Sequence, residues 1–365
     1  MRSLMRALRS CWWMLTVAAL AAACGGDDEA PQGPDAATID APVDGPSPDG
    51  PFVAPTMLSE TGLYSDIAAG TIAPDVIEYA PRWQLWSDRA VKRRWLYLPP
   101  GAKIDTSDMD FWSFPPGTKL WKEFTRDGVR VETRLLQKTG ATDDLTDWFM
   151  VSFQWNQAQT DAVAVPAGVV DEAGNDDIPS RSDCRKCHGP NRNPSVVLGI
   201  GALQMDFDAP QDGLDLGRLV AEDRLTHPPT AGAGGAYFPL PASGASDPVV
   251  AALGYLHANC GGCHNERSEL TQGQSPQTPM RLRLASAPAL RESWQVTPAY
   301  STTVNVRTTV GGSSQFLIVP GDVAASTLHG RMVDIGPNQM PPLGRETPDA
   351  TGGVASIRDW ILSLE

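Results

Sequence analysis

Two five-residue stretches concentrate the chemistry of this 365-residue chain: Cys184-Arg-Lys-Cys187-His188 and Cys260-Gly-Gly-Cys263-His264. Both read C-x-x-C-H, the attachment signature of c-type haem. The spacing has a reason: two thiols three residues apart reach the two vinyl groups of one porphyrin, and the adjacent imidazole then lies against the iron as proximal ligand. With six Cys and five His in 365 positions, one such match by chance is expected on the order of 0.001 times per chain, so two are not coincidence. A zinc ribbon would hold its two halves roughly 15 to 20 residues apart, far closer than these. A thioredoxin-type motif would want a surrounding βαβ pattern and would not occur twice. The expected cofactors are therefore two covalently bound haem c groups. Cys184, Cys187, Cys260 and Cys263 form the thioethers, and His188 and His264 are the proximal iron ligands. No residue is assigned a catalytic role.

These motifs need elements to hold them. Ahead of the second, Asp247-Pro248 can cap and start a helix, and Val249, Val250, Leu253 and Leu256 give it an apolar stripe ending just before Cys260. Val354, Ile357, Trp360, Ile361 and Leu364, spaced by three and four, predict an amphipathic helix closing the chain. Between them lie Val319-Pro-Gly-Asp322, Ser326-Thr-Leu328 and Met340-Pro-Pro-Leu-Gly344. This order resembles cytochrome c domains, in which the helix entering the haem motif crosses a C-terminal helix and a loop delivers a distal methionine. The resemblance implies Met340 as distal ligand of the second haem, and the flanking Pro-Pro, which keeps a loop extended, favours it. A thioether opposite an imidazole raises the potential. His257 and His329 read as structural. The first motif is less complete. Residues 166–183 are rich in Asp, Gly and Pro and offer no preceding helix. Met205 reads as core, His227 is a candidate distal ligand for the first haem, and an open iron is the alternative.

From Trp83 to Trp155 the chain shows period-two runs separated by turn residues. Arg94–Leu98, Lys119–Phe124, Val129–Leu135 and Trp148–Trp155 predict strands, and Asp127-Gly128 predicts a hairpin turn because both residues tolerate positive φ. The last run carries large apolar residues on both faces, as a central strand would. Seven of the eleven tryptophans fall in this segment, and aromatics on strands read first as core. Lys92-Arg93-Arg94 reads as a solvated strand face.

The N-terminus is an address. Arg2, Arg6 and Arg9 precede the apolar run Cys11–Ala23, which at ~1.5 Å per residue is too short for the roughly 20 residues a membrane-spanning helix needs and has the build of a secretory signal. It ends in Leu20-Ala-Ala-Ala-Cys24, which resembles the lipobox of bacterial lipoproteins and implies lipidation at Cys24, with Gly25 favouring the outer membrane. Residues 24–54, rich in Pro and Asp, cannot bury enough apolar surface to order themselves and read as a tether. Across the chain 43 acidic residues against 29 basic ones give a formal charge of −14. With no basic helix face, a nucleic-acid backbone is excluded as a ligand.

The expected architecture is multidomain α+β: signal peptide 1–23, tether 24–54, antiparallel β domain 55–170, first haem-binding segment 171–247, and a cytochrome c-like domain 248–365. Together 171–365 would be a mainly helical di-haem region. Trp86-Ser-Asp88, Lys92-Arg-Arg-Trp95, Phe114-Pro-Pro-Gly117, Leu120-Trp-Lys-Glu-Phe124, Val131-Glu-Thr-Arg-Leu135, the first C-x-x-C-H and Tyr255-Leu-His-Ala-Asn-Cys260 resemble an uncharacterised bacterial family of exported di-haem c-type cytochromes. That resemblance implies haem attachment and domain order, without a substrate. The expected role is single-electron transfer between periplasmic or membrane redox partners by a lipid-anchored protein. A peroxidase-like di-haem oxidoreductase with one open iron is the rival from the enzyme class. A binding module using the haems as its electron outlet is a third reading.

Overall fold

The computed structural model describes residues 52–170, 177–210, 213–232, 234–241, 248–272, 278–308 and 315–364. The expected signal peptide, the lipidation site Cys24, nearly all of the tether and the expected helix cap Asp247 lie outside the described residues. From Phe52 onward the chain forms one compact unit.

Its centre is an antiparallel sheet of six strands in chain order: β3 (Ile77–Glu78), β4 (Val91–Tyr97), β5 (Lys119–Arg126), β6 (Val129–Lys138), β7 (Trp148–Trp155) and β8 (Ala162–Ala164). A separate two-stranded ribbon, β1 (Tyr64–Asp66) with β2 (Thr71–Ile72), precedes it. The hairpin between β5 and β6 turns at Asp127 and Gly128, with φ of 48° and 80°, as the Asp-Gly pair predicts. β7 lies between β6 and the short β8, and its side chains are buried on both faces.

Side chains alternate along each strand, so the sheet carries two distinct faces. On one, Trp95, Trp121, Leu135 and Val151 stand side by side across β4 to β7 and pack with Leu58, Leu63 and Phe153 into a core of their own. On the other, the row Leu96, Leu120, Leu136, Met150 joins a second core that runs into the helices. The tryptophans on these strands are core residues, as expected. The expected solvated face at Lys92-Arg93-Arg94 is corrected. Arg93 alone is exposed and pairs with Glu78 at 2.7 Å, whereas Arg94, on the opposite pleat, is only 3% exposed.

Seven helices follow the sheet among the described residues: α1 (Arg181–His188), α2 (Ala202–Met205), α3 (Leu216–Ala221), α4 (Pro248–Asn259), α5 (Pro298–Ser301), α6 (Thr327–Val333) and α7 (Gly353–Ser363). The two expected amphipathic helices are α4 and α7, and they pack on each other through Leu253, Leu256, Ile357, Trp360 and Ile361. Gly353 makes the close approach possible, since a Cβ there would lie 1.9 Å from the Tyr255 ring. Single parallel bridges, Tyr79 to Leu214 and Ile104 to Leu225, tie the segment around α3 to the β region. The whole is a mixed α+β protein. Among the described residues no helix is long and apolar enough to cross a membrane.

Candidate functional site

Among the described residues no α-helix precedes the first C-x-x-C-H motif, as expected, but the motif is itself helical. Cys184, Cys187 and His188 lie in α1, whose start is set by a reciprocal cap: Asp183 N donates to Ser180 Oγ at 3.2 Å, and Ser180 N donates to Asp183 Oδ2 at 3.1 Å. This is the capping-box arrangement with aspartate in place of glutamate, and Ser180-x-x-Asp183 was its sequence signal. The second motif follows α4 directly, with Cys263 N and His264 N both bonded to Cys260 O. Its two glycines are set by packing. A Cβ on Gly261 would sit 2.6 Å from His257 O, and one on Gly262 would sit 2.7 Å from the tip of Leu198.

Both motifs open on one cleft. Cys187 and His188 line it from α1, Gly262 and Cys263 from beyond α4, and Pro341 to Gly344 from the loop after α6, while β4, β5 and β6 form its floor. Its cavity volume is about 420 Å³, within the ~300–1,000 Å³ of a site for one drug-sized ligand. The segments after the motifs are laced together: Asn265 Nδ2 donates to Arg192 O at 2.7 Å, and Glu269 N donates to Asn191 O at 2.8 Å. A loop of the β region closes one side. Trp86 N donates to Asn259 Oδ1 at 2.7 Å, and Asp88 Oδ1 accepts from Glu346 N and Thr347 N at 3.0 and 2.8 Å.

The histidines and thiols of the two motifs are held in their neutral forms. Burial pushes the His188 pKa down to about 4, and Lys122 and Arg134 add to the fall against the opposing bond to Val196. His188 Nδ1 lies 2.7 Å from Val196 O. With the proton on Nδ1, as a carbonyl partner requires, Nε2 presents a lone pair. His264 is likewise pushed down to about 4 by burial, with Arg331 and Arg192 contributing, and its Nδ1 is buried without a hydrogen-bond partner. Burial raises all four thiols, Cys260 to about 12, and Cys187 adds to the rise at Cys263. All four are free cysteines.

The other sequence candidates are placed unequally. Met340 is partly buried, with its backbone N bonded to Arg331 O at 2.8 Å; its neighbours Gln339 and Pro341 line the cleft, but Met340 itself does not. His227 is exposed, its backbone N bonded to Thr106 Oγ1 at 3.0 Å, and is not among the residues lining the cleft. Met205 is fully buried in the core. His257 is buried too: its Nδ1 accepts from Leu284 N at 3.0 Å and its ring meets Trp83 edge-on. The sequence reading missed the basic floor, Arg94, Lys122 and Arg134 on three successive strands. Alternating charges along each strand were its only signal. Among the described residues no cluster of three or more His, Cys, Asp or Glu side chains could hold a bare metal ion. Comparison with family models, with curated proteins and with solved structures finds no match to this chain.

Proposed function

We propose that this chain is an exported di-haem c-type cytochrome, anchored by lipid at Cys24 and facing the periplasm, most simply from the outer membrane, which passes single electrons between redox partner proteins. In this reading residues 171–365 form a cytochrome c-like di-haem region. The observation that carries it is that two C-x-x-C-H motifs, far apart in sequence, border one cleft, with His188 partly buried, His264 buried, and both imidazoles unprotonated at neutral pH.

The residues present fit the group. The His188 bond to Val196 O leaves Nε2 free for a metal, the orphaned buried nitrogen of His264 is an unmet polar demand, and the thiols are free to form thioethers. Cys184 and Cys187 would hold one haem with His188 proximal, and Cys260 and Cys263 the other with His264 proximal. A porphyrin asks the chain for axial donors, not for a three-ligand cage, and when bound it supplies a one-electron couple tuned by ligation and burial. The chain's own residues exclude water through Leu120, Leu136 and Val197, orient His188 through Val196, and brace the cleft wall through Trp86 and Asp88. Met340 is the proposed distal donor of the second haem; reaching it requires the 339–344 loop to turn its side chain inward.

Intact-mass and haem-stained denaturing gels of the full chain test this reading. Two added haems are expected, one after Cys184→Ala/Cys187→Ala and one after Cys260→Ala/Cys263→Ala. Met340→Ala should abolish a methionine-to-iron charge-transfer band and leave both haems attached. A chain with no covalent tetrapyrrole refutes the proposal. Carbon monoxide and cyanide titrations separate the electron carrier, which stays spectrally unchanged, from the peroxidase-like alternative, which binds them at one iron.

A further inference from the structure

Three cations stand in a line on the cleft floor. Arg94 of β4 is directly opposite Lys122 of β5, and Lys122 is directly opposite Arg134 of β6. Like charges facing one another across adjacent strands destabilise a sheet, and here all three line the cleft. Arg94 and Lys122 pair with no carboxylate among the described residues, whereas Arg134 pairs with Glu132. Arg94 Nη1 donates to the neutral Gln84 Oε1 at 3.1 Å, and Arg134 Nε donates to the Glu132 carboxylate at 3.0 Å. Lys122 Nζ has no hydrogen bond or ion pair among the described residues and rests 4.7 Å from the Phe124 ring centre. Lys92, one row along, bonds only the carbonyl of Leu85, at 2.7 Å. Burial and the neighbouring Arg94 and Arg134 hold Lys122 well below the usual lysine range. Two cations of the row, Arg94 and Lys122, thus lack a carboxylate partner among the described residues, while Asp88, Glu132, Asp177 and Glu346 line other parts of the cleft.

We propose that Arg94, Lys122 and Arg134 form an anion-binding floor that receives a carboxylate or oxyanion inside the cleft, in the first instance the propionate carboxylates of the haem held by Cys184 and Cys187. This rests on the functional reading for the source of the anion, though not for the site. Two observations favour an anion carried in on an attached group. Lys122, Arg134, Cys187 and His188 line the same cleft, so the row and the first motif share one space. The net charge of −14 opposes capture of a free dianion from solution, and a covalently held group needs no capture. The β region thereby becomes one wall of the first haem pocket.

The test uses the full haem-loaded chain, comparing wild type with Lys122→Met, Arg94→Met and Lys122→Arg. Haem per chain, both midpoint potentials, and the thermal midpoint with and without inorganic phosphate are read. The expected result is an unchanged haem count, with one potential moved to more negative values in both Met variants. Losing a cation beside a carboxylate favours ferric iron, a shift that a purely structural role would not produce. Lys122→Arg should stay with wild type, and phosphate should alter none of them. If potentials hold but phosphate saturably raises the wild-type thermal midpoint and fails to do so in the Met variants, the site stands with a free anion as its ligand. Met variants equal to wild type in both potentials and phosphate response overturn the proposal. If wild type carries no haem, the functional reading fails, and the phosphate arm alone decides the site: a saturable, Lys122-dependent response supports it and no response refutes it. Should Lys122→Met not accumulate, Lys122→Gln carries the same comparison.

Discussion

His257 illustrates how a single side chain can carry structure beside a C-x-x-C-H motif without belonging to it. Its Nδ1 accepts from Leu284 N and its ring meets Trp83, so burial, with a smaller push from Arg283, drives its pKa down to about 3. The folded state therefore keeps this imidazole neutral where the unfolded chain, with a pKa near 6.5, takes up a proton. That difference costs nothing above pH ~6.5 and destabilises the fold progressively as pH falls from there toward about 3. Urea unfolding of wild type and His257→Gln across pH 4 to 8 should show the wild type losing stability more steeply on the acid side. The extra slope should approach the ~1.4 kcal/mol per pH unit of one proton, and parallel curves would show that His257 titrates alike in both states.

At the scale of elements, the packing of α4 on α7 depends on the absence of a side chain at Gly353, where a Cβ would fall 1.9 Å from the Tyr255 ring. The ring is held by the surrounding core, so Gly353→Ala must part the helices. Overpacking of this kind costs ~1–3 kcal/mol, read as a lower denaturant midpoint with an unchanged slope, and Tyr255→Ala in the same chain should restore part of it. The two helices were legible in the sequence because their apolar residues keep a period of three and four. Their contact was not, since nothing in Gly353 as a letter says which ring it faces. The helix of the first motif escaped notice for a different reason. Its span Arg181–His188 buries no residue fully, so it has no apolar stripe to read, and only the Ser180-x-x-Asp183 cap announces it.

For the whole molecule, the second core matters most, because it draws Leu96, Leu120 and Met150 from the sheet, Leu214 and Leu225 from the middle segment, and Leu253 and Trp360 from the terminal helices. A core shared in this way cannot melt by parts. Scanning calorimetry from Phe52 to the C-terminus should give one transition with calorimetric and van't Hoff enthalpies in agreement. Two resolved transitions, one for the β region and one for the C-terminal helices, would contradict this.

The sequence by itself determined the place and spacing of the two C-x-x-C-H motifs, the strands from β4 to β7, the Asp-Gly turn and the two long helices. Each of these rests on spacing within a few residues, where local geometry is decisive. Only the tertiary structure decided what the cleft floor is. A two-residue turn at Asp127-Gly128 with regular pairing would set Lys122 opposite Thr133, but an irregularity at Phe124/Thr125 shifts the register by one and brings Arg134 opposite Lys122 instead. A slip of one residue turns every later side chain to the other face of the sheet. Which charges line the cleft therefore followed from a local bulge and long-range packing that no short stretch of sequence encodes.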